Sequence, residues 1–75
     1  MNISNEEKKA MAQDTLKMLE LSMYRQVLVI GEDPDTFDYS TLGENMDPID
    51  EDKYKSIIDL SVKINNIKAI IESLS

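Results

Sequence analysis

The chain has no cysteine and no histidine among its 75 residues. It therefore lacks the side chains for a disulfide, for a thiolate or imidazole metal site, and for a serine or cysteine nucleophile activated by histidine. A chain of this size buries only about 60% of its unfolded surface. Because disulfides are excluded, we expect self-association to supply the missing stability.

Long apolar runs are also absent. No stretch approaches the roughly 20 apolar residues that cross a bilayer, and residues 1–7 lack the basic and apolar regions of a signal peptide. Only two glycines are present, so no glycine-rich phosphate loop supports nucleotide hydrolysis. The absence of cysteine fits a reducing compartment. We expect an intracellular, cytoplasmic protein that binds no membrane.

Negative charge is concentrated in the middle of the chain. Residues 32–52 hold nine of the 15 acidic residues and none of the eight basic ones, although the net charge of the whole chain is only −7. Such a segment repels nucleic-acid phosphates and anionic lipid head groups. It attracts a basic protein surface and speeds encounter with one at low salt. We therefore predict a protein partner and no direct nucleic-acid binding.

The first helix is predicted over about residues 5–30. Ser4 followed by Glu7 matches a capping box, and Gly31 is suited to the position after the C-terminus. The β-branched residues 26–30 also fit a short strand, but the chain offers no convincing partner strand. We therefore favour a helix to its end.

Apolar residues on this helix fall on two stripes that we expect to adjoin each other. The first stripe contains Ala12, Leu16, Leu19, Met23, Val27 and Ile30, and the second contains Met11, Met18, Leu21 and Leu28. Together they are wider than one packing partner covers. The methionines fit gap-filling core positions better than an adaptable partner-binding face, although such faces are also rich in methionine.

The second helix is predicted over about residues 48–74. Asp47 and Pro48 suit the cap and the first helical position. Asp50 is an alternative cap, for which Ile49 and Tyr54 are spaced as a hydrophobic staple. Apolar residues are spaced alternately by three and four at Ile57, Leu60, Ile64, Ile67, Ile71 and Leu74. This is the period of a helix packed lengthwise on another helix.

These elements predict an all-α fold, an antiparallel hairpin of two long helices joined by an acidic connector of residues 31–47. Residues 1–75 would form a single helical domain. Surplus apolar surface on both helices predicts dimerisation into a four-helix bundle. The residues expected in the core or the dimer interface are Leu16, Leu19, Met23, Val27, Ile57, Leu60, Ile64, Ile67 and Ile71.

Within the connector we expect a turn of helix over about residues 36–42, or a loop pinned to the helix ends by Phe37, Tyr39 and Leu42. The candidate partner-binding residues are Asp33, Asp35, Phe37, Asp38, Tyr39, Glu44 and Asp47. In one interpretation the aromatic residues anchor a partner and the carboxylates steer it. In the other, the aromatic residues close the end of the bundle and the acids keep it soluble. A further hypothesis is that the carboxylates imitate the charge spacing of nucleic acid and occupy the basic groove of a protein that handles it.

A calcium loop is the sharpest chemical alternative. Asp33, Asp35 and Glu44 occupy positions 1, 3 and 12 of an EF-hand register. The register fails where its geometry is strictest, because Phe37 stands where Asp or Asn is needed and Asp38 where glycine is needed. We therefore assign no metal site and no cofactor. Paired carboxylates also serve in acid–base catalysis, but nothing in the pattern would bury one and raise its pKa, so no catalytic residue is predicted.

The sequence thus predicts a small, non-catalytic protein-interaction module. Its size suits a regulator or an inhibitor, including one encoded by a phage, whose acidic connector binds a basic surface on another protein. Two alternatives stay open. One is a structural subunit of a larger assembly, and the other is a weak calcium-binding loop protein.

Overall fold

A computed structural model describes residues 2–42 and 46–75 of the protein. The described residues form two α-helices, α1 (Asn5–Val29) and α2 (Pro48–Leu74), and a short 3-10 helix (Tyr39–Thr41) between them. The two α-helices pack against each other as a hairpin, within a molecule that measures 45 × 22 × 21 Å. The prediction of an all-α helical hairpin is therefore confirmed.

The N-terminus of α1 forms as its sequence predicts. Ser4 is extended, and its side-chain oxygen accepts a hydrogen bond from the backbone N–H of Glu7 at 3.1 Å. Glu6 and Glu7 lie in the first turn, where their negative charges interact favourably with the positive end of the helix dipole. The capping interaction satisfies one of the four N–H groups that lack a partner at a helix start.

The C-terminus of α1 ends in a Schellman motif. Gly31 has a φ of +86°, and its N–H donates to the carbonyl of Leu28 at 3.0 Å, while the N–H of Glu32 donates to the carbonyl of Val27 at 3.1 Å. Because the helix continues to Val29, the alternative of a short strand over residues 26–30 is wrong. The left-handed backbone at Gly31 is what reverses the chain into the connector.

Gly31→Ala is expected to lower the free energy of unfolding by about 1 kcal/mol. No atom lies within 4 Å of the position that the added Cβ would occupy, so the cost comes from the positive φ alone. Urea unfolding followed by circular dichroism measures it. Gly31→Asn is the matched control, because asparagine tolerates this backbone conformation better. Equal stability of Gly31→Ala and the wild type would contradict the expected strain.

Of the two predicted caps for α2, the structure has Asp47, and the alternative cap at Asp50 is wrong because Asp50 lies in the first turn of the helix. Asp47 is the extended N-cap residue and Pro48 stands at the first helical position, although the Asp47 side chain makes no capping hydrogen bond. Ile49 is 83% exposed, so it does not form a hydrophobic staple with Tyr54. Instead Tyr54 contacts Phe37 of the connector.

The core between the two helices is thin. Only Val27, Ile57 and Ile64 are buried among the described residues. The remaining positions expected in the core or dimer interface are half-buried, namely Leu16, Leu19, Met23, Leu60, Ile67 and Ile71. Each of these side chains is partly covered and partly open to solvent. A core of three buried side chains leaves a chain of this size with little stability from burial alone.

The second apolar stripe of α1 is exposed. Met11, Met18, Leu21 and Leu28 are between 57% and 69% exposed. Because an α-helix turns by about 100° per residue, Met18 lies about 180° round the helix from the buried Val27. The second stripe therefore lies on the opposite side of α1 from the hairpin core, and the expectation that the two stripes adjoin is wrong.

The outer side of α2 carries less apolar surface than that of α1. Val62 is 53% exposed and Ile70 is 47% exposed, whereas Ile58 is half-buried. Asn65 and Asn66 are exposed. With Ile49, α2 has three exposed large apolar side chains among the described residues and α1 has six, so the exposed apolar surface is concentrated on α1.

Candidate functional site

The connector begins with a tight turn built on Asp33. The Asp33 carboxylate accepts a hydrogen bond from the backbone N–H of Asp35 at 2.9 Å, and its carbonyl accepts from the N–H groups of Thr36 at 3.2 Å and Phe37 at 2.9 Å. This is the Asx-turn geometry that aspartate favours. It fixes the Asp33 side chain while leaving it at the surface.

A second local motif holds Asp38. Its Oδ1 atom accepts hydrogen bonds from both the backbone N–H and the side-chain hydroxyl of Ser40, and Asp38 caps the 3-10 helix Tyr39–Thr41. The turn of helix expected near residues 36–42 is thus present, in 3-10 form. The hydrogen bonds from the Ser40 hydroxyl and N–H hold the pKa of Asp38 below its usual value. Asp38 is therefore firmly ionised at neutral pH.

The aromatic residues of the connector form a cluster with α2. The rings of Phe37 and Tyr39 meet edge to face with centroids 4.9 Å apart, and the Phe37 and Tyr54 rings are tilted with centroids 5.9 Å apart. The Tyr39 hydroxyl donates to the carbonyl of Pro34 at 2.9 Å. All three rings are half-buried. These contacts tie the connector to α2, as expected for a loop that Phe37 pins to a helix end.

The carboxylates of the connector point outward. Asp33, Asp35, Asp38 and Asp47 are all exposed, whereas Glu44 lies outside the described residues. Across residues 2–42 and 46–75, no lysine or arginine nitrogen lies within 4.0 Å of a connector carboxylate oxygen. Four of the predicted partner-binding residues are therefore exposed, and within the described residues none of them forms an ion pair.

A groove of about 440 Å³ lies between the connector and the two α-helices. Tyr39 lines it together with Glu20 and Tyr24 of α1 and Lys68 of α2. Burial raises the pKa of the Tyr39 hydroxyl, with smaller contributions in the same direction from Tyr24 and nearby carboxylates. The connector thus folds back along the hairpin. Sequence reasoning missed Glu20 and Lys68, because their spacing along the chain gives no sign that they meet one groove.

The calcium register gains no support from the described residues. The Asp33 carboxylate accepts a hydrogen bond from the backbone N–H of Asp35, and Glu44 lies outside the described residues. Among residues 2–42 and 46–75, no group of three or more acidic side chains is placed to hold a metal ion.

In the same residues, neither α-helix has an apolar window long enough to cross a membrane.

No family model, curated protein or solved structure matches this chain. Function is therefore inferred from the charge, exposure and packing of the described residues.

Proposed function

We propose that the protein is a non-catalytic protein-interaction module whose acidic connector binds a basic surface on a partner protein. One observation carries this proposal. Asp33, Asp35 and Asp38 are exposed, yet local hydrogen bonds hold the backbone and two of the three side chains in defined positions. Carboxylates that are fixed before binding lose less conformational entropy when a partner arrives.

The hydrogen bonds also leave binding capacity on each fixed carboxylate. In both Asp33 and Asp38 the internal hydrogen bonds go to Oδ1, so Oδ2 remains available to a lysine or an arginine. Charge-assisted hydrogen bonds of this kind are about twice as strong as neutral ones. The surrounding negative charge steers a basic partner toward the connector at low salt.

A regulator or inhibitor in the cytoplasm, including one encoded by a phage, would use such a surface to occupy a basic site on its target. If the target normally binds nucleic acid, the connector carboxylates would take the place of phosphates. The aromatic cluster supports this use indirectly, because it holds the connector against α2.

We further propose that the module works as a homodimer of four helices. The described residues bury three side chains in the core and leave the second apolar stripe exposed. A second copy would cover that stripe and add to the stability of the small core. The same exposed stripe favours the second candidate function, a structural subunit that packs into a larger assembly.

Replacing Asp33, Asp35 and Asp38 together by asparagine tests the recognition site. Asparagine keeps an oxygen that can accept the hydrogen bonds now made by Asp33 and Asp38, so the connector should keep its shape while losing three charges. We expect capture of the partner from native host lysate at low salt to fall by about tenfold or more. Capture is quantified by mass spectrometry against the wild type.

The matched control removes three charges from exposed positions of the helices, in the triple variant Glu6→Gln, Asp59→Asn and Glu72→Gln. This variant has the same net charge as the connector variant but leaves the connector intact. We expect it to capture the partner nearly as well as the wild type. Equal loss in both variants would mean that total charge, and not the connector, attracts the partner.

A further inference from the structure

Six residues of α1 form a regular stripe on the side that faces away from α2. Their spacing of three and four residues in alternation is the a/d spacing of helices that pair lengthwise. The stripe, here called the outer stripe, consists of Met11, Asp14, Met18, Leu21, Arg25 and Leu28. All six side chains are exposed, so residues 2–42 and 46–75 do not cover them.

The outer stripe is symmetric about its own centre. Its two charged residues, Asp14 and Arg25, lie at equal distances along the helix from the midpoint between Leu19 and Glu20. The apolar members are placed in the same way, with each methionine opposite a leucine. When such a stripe meets a copy of itself in antiparallel orientation, every acid faces a base and every methionine faces a leucine.

A parallel arrangement would do the reverse. Asp14 would face the partner's Asp14, and Arg25 would face the partner's Arg25, so two pairs of like charges would be brought together in one interface. Like charges placed directly opposite each other cost free energy. The charge pattern therefore selects one orientation and one register, and it is self-complementary as a two-fold interface requires.

We propose that the occupant of the outer stripe is a second copy of this chain, docked antiparallel through α1 alone. This deepens the homodimer of the proposed function and rests on it. Met18 packs against the partner's Leu21 next to the two-fold axis, Asp14 pairs with the partner's Arg25, and Met11 packs against the partner's Leu28. Each contact occurs twice because of the symmetry.

This interface gives the dimer a particular shape. Because the outer stripe lies opposite the hairpin core, the two α1 helices lie in the centre and the two α2 helices on the outside, without a core shared by all four. The C-terminal ends of the two α1 helices are then about 30 Å apart at the standard helical rise. The two acidic connectors start from opposite ends of the interface, so one dimer offers two separate sites to basic partners.

Single cysteines test the register cleanly, because the native chain has none. We expect a mixture of Met11→Cys and Leu28→Cys chains to form a mixed disulfide under mild oxidation. Met11→Cys alone should not cross-link, since the two copies of position 11 would lie about 26 Å apart, far beyond the reach of a disulfide. Cross-linking of Met11→Cys alone, or no mixed disulfide, would overturn the proposed register.

The charge pair provides the second measurement. Asp14→Arg and Arg25→Asp, each made alone, place like charges opposite each other and should raise the dimer dissociation constant by about tenfold or more. The double variant restores opposite charges and should dimerise nearly as the wild type does. Sedimentation equilibrium gives the dissociation constants, and circular dichroism confirms that the exposed substitutions leave the helices folded.

Failure of this inference can be told apart from failure of the proposed function. A wild-type mass equal to the 8.6 kDa of a single chain would overturn both the interface and the dimer, whereas a dimer without the mixed disulfide would overturn the interface alone. Neither result bears on the connector, whose asparagine variant is judged by partner capture.

Discussion

Ile64→Asp is expected to abolish cooperative folding. Ile64 is 4% exposed and is one of three buried side chains among the described residues. Chains of this length have about 4 to 11 kcal/mol of stability, and the small core places this one at the low end of that range. A carboxylate placed in an apolar core without a partner costs several kcal/mol, and the lost isoleucine packing costs about 2 kcal/mol more. Thermal melting followed by far-ultraviolet circular dichroism, which reports helix content, should show no transition.

Val62→Asp is the matched control for this variant. It introduces the same charge two residues away on α2, at a side chain that is 53% exposed. We expect its free energy of unfolding to lie within about 0.5 kcal/mol of the wild-type value, as is usual for surface substitutions. If Ile64→Asp melts like Val62→Asp, the helices do not meet along the face described above.

Phe37→Ala is expected to lower the free energy of unfolding by about 2 kcal/mol. Phe37 contacts both Tyr39 and Tyr54, so its removal detaches the connector from α2. Replacement of a fully buried phenylalanine costs about 3 to 5 kcal/mol, and the half-buried position of Phe37 reduces that figure. Urea unfolding measures the change, because it reports the free energy directly for a small cooperative domain.

Phe37→Leu separates packing from aromatic geometry. Leucine keeps most of the buried area but loses the edge-to-face contact with Tyr39, which is worth about 1 kcal/mol. It should therefore lie between the wild type and Phe37→Ala in stability. Weaker partner capture by Phe37→Ala without any loss of stability would instead show that the ring is a binding anchor, contrary to the role that its contacts support.

The helix boundaries could be predicted because their signals are local. Ser4, Gly31 and Pro48 each act through the backbone within a few residues, by capping, by a positive φ and by a fixed φ respectively. None of these effects depends on which face of the helix meets a neighbour. The same local character explains why α1 and α2 begin at the residues that the sequence indicates.

The packing partners of the side chains could not be predicted in the same way. Helical periodicity shows that two apolar stripes exist on α1, but it does not say which stripe meets α2. Ile49 and Tyr54 have staple spacing, yet Phe37 from the connector takes the contact with Tyr54 and leaves Ile49 in solvent. Spacing along one element carries no information about a ring that arrives from another.

The candidate site could be predicted in part from the sequence. Exposure of Asp33, Asp35 and Asp38 follows from their charge, and sequence reasoning expects it. The hydrogen bonds of Asp33 and Asp38 to backbone N–H groups two residues ahead are local and typical of aspartate in turns. The groove beside Tyr39 depends on how the connector folds back on the hairpin, which local patterns do not specify.

The most direct test of connector recognition compares the affinity of the purified partner for two proteins. These are the wild type and the triple variant Asp33→Asn, Asp35→Asn, Asp38→Asn. The affinities are measured from about 10 to about 150 mM salt, the range in which screening changes most. Wild-type affinity should fall steeply as salt rises. The variant should bind about tenfold or more weakly at the lowest salt and respond less to added salt. A variant that binds as tightly as the wild type, with the same salt dependence, would show that the partner does not bind the connector.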